Sequence, residues 1–146
     1  MEYVSTKNAP GAIGPYSQAV KANGLLFTSG QIAINPETNT VEAKTIEEQT
    51  HQVCKNLTAV VEAAGTTMDK VVKTVCFLAD INDFAKFNEI YGTYFTSKPA
   101  RSCVAVKDLP RAYFVRLSLS LNYNKQYRKS RVRLSTGFFV WIIFLL

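Results

Sequence analysis

Residues 113–121 read Tyr-Phe-Val-Arg-Leu-Ser-Leu-Ser-Leu. From Val115 onward apolar and polar residues alternate strictly. Val115, Leu117, Leu119 and Leu121 fall on one side, and Arg116, Ser118 and Ser120 on the other. A period of two marks a strand with one face in a core and the other turned away from it. Working back, Val71–Ala79 is apolar and rich in β-branched residues, which predicts a buried strand. Ser102–Val106 predicts another, and residues 2–6 a short one. Tyr16–Ala22 and Leu25–Ser29 are joined by Asn23-Gly24. Both of those residues tolerate positive φ, so the spacing predicts a hairpin.

Two helical patterns lie between the strands. Thr45 and Glu48 form the Thr-x-x-Glu capping box, in which each residue satisfies a free amide of the first turn. Ile46, Val53, Cys54, Leu57, Val60, Val61 and Ala64 follow at helical spacing, and Gly65 sits at the C-terminal cap. Asp80 and Asn82 open a second helix, with Phe84, Phe87, Ile90, Tyr91, Tyr94 and Phe95 along one side. That aromatic stripe reads as core rather than as a platform for bases. Strands mixed with two helices predict an α+β fold, both helices on one face of a mixed sheet.

The chain has 146 residues, enough for one domain with a real core. Hydrophobic residues are 47% and charged residues 19%, the balance of a globular chain. The net charge of +6 is concentrated at one end. Five of the 17 basic residues lie within 125–133, and no acid follows Asp108, so residues 1–122 carry 12 basic against 11 acidic side chains. A body that near neutrality offers no specific nucleic-acid surface. Cys54, Cys76 and Cys103 are odd in number and widely spaced, which suits neither a disulfide framework nor a zinc site. The one histidine, His51, lies off the apolar stripe of its helix and is expected to be exposed; a Ser-His-Asp triad is hard to build around it. Met1-Glu2-Tyr3 lacks the basic and apolar regions of a signal peptide, so a reduced, cytoplasmic setting is the default. Phosphate-cradling Gly-x-Gly-x-x-Gly and metal-binding His-Glu-x-x-His patterns are absent.

One charged residue stands out. Arg101 lies within Lys98-Pro-Ala-Arg-Ser-Cys-Val104, between a proline turn and a strand. A guanidinium is a rigid planar fork that meets a carboxylate through two bonds at once. Taken alone, the segment fits a solvated surface arginine better.

Four segments carry a resemblance. They are Asn8-Ala-Pro-Gly-Ala-Ile-Gly-Pro-Tyr-Ser-Gln18, Phe27-Thr-Ser-Gly-Gln31, Leu78–Phe84 with Asn88-Glu-Ile-Tyr91, and Pro99-Ala-Arg-Ser-Cys103. In order and spacing they resemble the RidA/YjgF family over about residues 3–111. The resemblance implies an α+β fold like that of chorismate-mutase-type homotrimers, with clefts between neighbouring subunits. It implies hydrolytic deamination of 2-imino acids such as 2-iminopropanoate and 2-iminobutanoate to 2-keto acids and ammonia, without a metal or organic cofactor. By the same resemblance Arg101 grips the substrate carboxylate and Tyr16 is the cleft tyrosine. Ser29 and Gly30 form a strand-end wall, and Asn88 lines the cleft. Cys103 offers backbone groups to the imine or its water, and its thiol is not a nucleophile. Catalytic roles thus fall to Arg101 and Tyr16.

The chain departs from that family after Leu109-Pro110. The family's next strand contains Glu-x-Glu, whose first glutamate is implicated in activating or positioning water. Here the aligned residues are Arg116 and Ser118, and neither accepts a proton from water near neutral pH. Two alternatives to a deaminase therefore stay open: a trimer that binds small carboxylates without chemistry, and an endoribonuclease, an activity also ascribed to the family. Residues 1–122 are expected to form the domain. Residues 123–146 form a basic and then apolar tail, ending Phe138-Phe-Val-Trp-Ile-Ile-Phe-Leu-Leu146. That end is too short to span a bilayer, which takes about 20 residues, though a membrane interface would accept it. Resemblance and charge balance break together near residue 112, as a shifted reading frame or a misplaced exon boundary would produce.

Overall fold

A computed structural model describes residues 1–110 and 113–123, together with the backbone of 127–133 and 139–145. Its order is β1 (Glu2–Val4), β2 (Ala19–Ala22), β3 (Leu25–Thr28), α1 (Ile46–Ala63), β4 (Val71–Leu78), α2 (Phe84–Tyr94), β5 (Ala100–Ala105), β6 (Val115–Asn122), β7 (Tyr127–Arg133) and β8 (Phe139–Leu145). Six strands form one sheet in the order β1-β2-β3-β6-β4-β5. Only β4 and β5 run parallel, so the sheet is mixed.

The strand with strict alternation is central. β6 pairs antiparallel with β3 on one side and β4 on the other. Val115, Leu117 and Leu121 are fully buried, and Leu119 nearly so. In the same face lie Thr74, Cys76 and Leu78 of β4, also buried. Both helices cover this face. Val53, Leu57, Val60 and Val61 of α1 and Phe87 of α2 are fully buried in the same core, and Tyr91 Oη shares a hydrogen bond with Thr74 Oγ1 at 2.8 Å. The expected α+β architecture with helices on one face is present.

Local signals explain the boundaries. Asn23 (φ 49°) and Gly24 (φ 75°) both take the left-handed conformation of a two-residue hairpin. At the start of α1 the Thr45 side chain accepts from the Glu48 amide, and the Glu48 carboxylate accepts from the amides of Lys44 and Thr45. Gly65 follows the helix at φ 78°, where a β-carbon would be strained.

Some boundaries differ from expectation. β2 starts at Ala19 rather than Tyr16, because Ser17 and Gln18 are committed elsewhere. Ser17 O accepts from Ser29 Oγ at 2.6 Å. Gln18, which is buried, donates from Nε2 to the carbonyls of Thr6, Ala9 and Pro10. It thereby satisfies the proline- and glycine-rich loop that cannot pair as sheet. β5 starts two residues early, at Ala100, so Arg101 lies inside the strand opposite Thr74. His51 is half-buried, not exposed; its Nδ1 lies 3.1 Å from Tyr94 Oη across the two helices. β7 and β8 pair only with each other among the described strands, forming a separate two-stranded sheet. Among the described residues no helix is long and apolar enough to cross a membrane.

Candidate functional site

Arg101 rests on α2. Its Nη1 donates to Asn88 Oδ1 at 2.7 Å. Its Cζ lies 4.8 Å from the Tyr91 ring centroid and 5.4 Å from that of Phe84, within range for a cation–π contact. Phe84, Asn88 and Tyr91 stand at i, i+4 and i+7, the spacing of one helix face. No acid pairs with Arg101 among the described residues, where the ion pairs are Lys21–Glu2 and Lys86–Glu47. The guanidinium is therefore oriented by neutral groups, and most of its donors remain available. The hollow beside it, about 360 Å³, is completed by Phe95, Lys98 and Pro99. Lys98 holds φ 53° immediately before a proline, a position that favours extended backbone. That strained turn sets where β5 begins.

A second hollow, of about 370 Å³, is lined by Tyr16, Ser29, Gly30, Pro110 and Arg116, with Ile13 and Ile32. Arg116 folds directly over Gly30. A β-carbon at Gly30 would lie 2.8 Å from Arg116 Cζ and 2.9 Å from Nη2, closer than real contacts allow. A side chain at position 30 would therefore displace the Arg116 guanidinium. No acid pairs with Arg116 among the described residues.

These two sets do not meet within one protomer. Arg101 lies in the row Arg101–Thr74–Leu119, and Arg116 in the row Val104–Phe77–Arg116. Thr74 and Leu119 are buried beneath the helices, so alternation puts Arg101 on the helix face and Arg116 on the opposite one. The structure brings Asn88 to Arg101, and Tyr16, Ser29 and Gly30 to Arg116. Cys103 lines neither hollow. It pairs in register with Cys76 and is half-buried. Burial pushes its thiol above the ordinary value, against a partial downward pull from Arg101, which disfavours a nucleophilic thiolate.

Sequence reasoning missed the ring bed of Arg101. Phe84 and Tyr91 were expected in the core; Tyr91 is buried there, but one face of each ring also serves Arg101. The signal was the i, i+4, i+7 spacing around Asn88. Gln18, which holds the loop before Tyr16, was also missed.

Comparison with known proteins agrees with this architecture. The model of the family described as Endoribonuclease L-PSP matches residues 6–117. The chain belongs to that family, the YjgF/RidA family. A RutC family protein of Saccharolobus solfataricus is 49% identical over 119 residues, covering 81% of this chain and 94% of that protein. Reactive Intermediate Deaminase A, chloroplastic, of Arabidopsis thaliana is 49% identical over 110 residues, covering 75% of this chain and 59% of that protein. The crystal structure of E. coli TdcF with bound serine superposes with a TM-score of 0.81 at 36% identity, covering 85% of this chain and all of that one. The family match runs past residue 111, and β6 is fully built into the sheet as far as Asn122. Arg116 and Ser118 thus lie on a strand that is paired on both sides.

Proposed function

We propose that this chain hydrolyses 2-imino acids to 2-keto acids and ammonia, in a cleft completed by a second copy of itself within a homotrimer. The observation that carries this reading is Arg101: a guanidinium braced by Asn88 and two rings and left without an acidic partner among the described residues. Such a fork suits the carboxylate of a small substrate. The two half-sites on opposite sheet faces support completion by a neighbour, whose Tyr16, Ser29 and Gly30 would form the far wall. The relative named as a reactive intermediate deaminase supports the reaction class.

The chemistry asks little of the protein. Water adds to the electrophilic imine carbon, its protons pass to nitrogen, the C–N bond breaks, and ammonia leaves. Holding the carboxylate and one water in line supplies much of the rate, up to ~7–11 kcal/mol in favourable systems. A positioned general base adds roughly 10²–10⁴-fold. No carboxylate lines either hollow among the described residues, so that factor is missing and turnover is slow. Ammonia release from 2-iminopropanoate generated in situ tests this. Slow release abolished by Arg101→Ala supports it, whereas release indifferent to Arg101→Ala refutes it.

The absence of a base also favours a second reading, a trimer that binds small carboxylates without turning them over. Calorimetric binding of 2-oxobutanoate with no ammonia release would establish it. An endoribonuclease has less support, since residues 1–122 carry no basic excess of note and His51 is engaged with Tyr94.

A further inference from the structure

The second hollow contains a feature the deamination reading does not use. Arg116 is half-buried, lies against the backbone of Gly30, and has no acid within ion-pair distance among the described residues. Among the described residues its surroundings are otherwise uncharged: the Tyr16 phenol, the Ser29 hydroxyl, Pro110 and two isoleucines. The Ser29 hydroxyl is committed to Ser17 O. A cation partly withdrawn from water, in a hollow with no compensating charge, attracts an anion strongly.

Position matters as much as charge. Resting on the proposed cleft, Arg101 of one protomer and Arg116 of its neighbour line the same space from opposite walls. One holds the carboxylate next to the imine carbon. Arg116, longer than the glutamate the resemblance expects there, carries its charge past that position into the hollow with Ile13, Tyr16 and Ile32, where the rest of the substrate would lie. We propose that Arg116 is a specificity residue forming a second anion subsite, so that this chain prefers 2-imino acids with a second, distal carboxylate to those with an alkyl side chain. The same arginine then has two consequences: it removes the base, and it selects dianionic substrates. An alkyl side chain would leave the guanidinium buried and unpaired against it, which penalises the wrong ligand as well as favouring the right one.

The test uses stable 2-keto acids in place of the short-lived imines. Calorimetry on the full chain compares 2-oxobutanoate with oxaloacetate and 2-oxoglutarate, which span two distances between carboxylates. The expected result is at least ten-fold tighter binding of one dicarboxylate, a ratio that falls to near one in Arg116→Gln and is largely retained in Arg116→Lys. Arg101→Gln should weaken all three ligands. Equal affinity for mono- and dicarboxylates in the unaltered chain, with Arg101→Gln weakening both, would overturn the second subsite while leaving the Arg101 grip standing. Binding of none of the three, or binding indifferent to Arg101→Gln, would overturn the grip and the subsite together. Thermal unfolding of each variant separates lost binding from lost folding. A variant that does not fold is replaced by the free-ligand comparison on the unaltered chain, whose ratio decides the matter by itself.

Discussion

Arg101 Nη1 donates to Asn88 Oδ1 at 2.7 Å, tying the edge strand β5 to the exposed side of α2. The bond leaves the remaining guanidinium donors facing the hollow, and the Tyr91 ring supports the plane from beneath. Removing Asn88 should loosen the fork without discharging it. Asn88→Ala is expected to raise the Kd for 2-oxobutanoate about five-fold, the loss of roughly 1 kcal/mol. Arg101→Lys keeps the charge but not the paired geometry, and should raise it by more than ten-fold. Isothermal calorimetry checks both.

Arg116→Glu places a carboxylate where the resemblance to the family implies one. Ammonia release from 2-iminopropanoate should rise, within the roughly 10²–10⁴-fold range of a positioned base. A rate equal to that of the unaltered chain would show that the base is not what limits turnover.

Gly30→Ala introduces a methyl where Arg116 now lies. The obstacle is the flexible end of a side chain, so the fold should survive with a melting temperature lowered by only a few degrees. Arg116 must move, and the preference for dicarboxylates should fall as in Arg116→Gln. Circular dichroism melting together with calorimetry reads the two effects apart.

The capping box of α1 gives a stability prediction. Thr45→Ala should cost about 0.5–2 kcal/mol in urea unfolding. Glu48 is held below the ordinary carboxylate value chiefly by the amide of Lys44, then by that of Thr45. A carboxyl lowered in the folded state stabilises above its unfolded pKa and ceases to do so as pH falls through the folded value. The acid limb of the stability profile should therefore flatten in Glu48→Gln.

The thiols predict the alkaline limb. Burial pushes Cys76 up from 9.0 to about 12, with Cys103 adding to the rise. A group raised in the folded state contributes stability fully below its unfolded pKa, and that contribution is lost as pH rises through the folded one. Denaturant midpoints should fall between pH 9 and 12, less steeply in Cys76→Val. At pH 8 a disulfide reagent should label Cys103 slowly, and Cys54 and Cys76 only after unfolding.

Much of the fold was legible because its signals are local. The capping box at Thr45 and Glu48, the turn at Asn23-Gly24 and the alternation from Val115 to Leu121 each depend on neighbours a few residues away. Arg101 and Asn88 were legible as a pair only through the family pattern. The shortened β2 was hidden because Gln18 bonds to carbonyls 8–12 residues upstream, a contact no local period encodes. His51 misled for a similar reason: its partner, Tyr94, lies 43 residues away.

The order of residues by itself determined the strands of the main sheet, the capped first helix, the second helix and the lack of an acid at positions 116 and 118, because periodicity, capping and residue chemistry are written along the chain. Only the tertiary structure decided that Arg101 and Arg116 stand on opposite faces of one sheet, and that Arg116 closes over Gly30. Strand register sets which side chains share a face, and register is settled by pairing between distant segments.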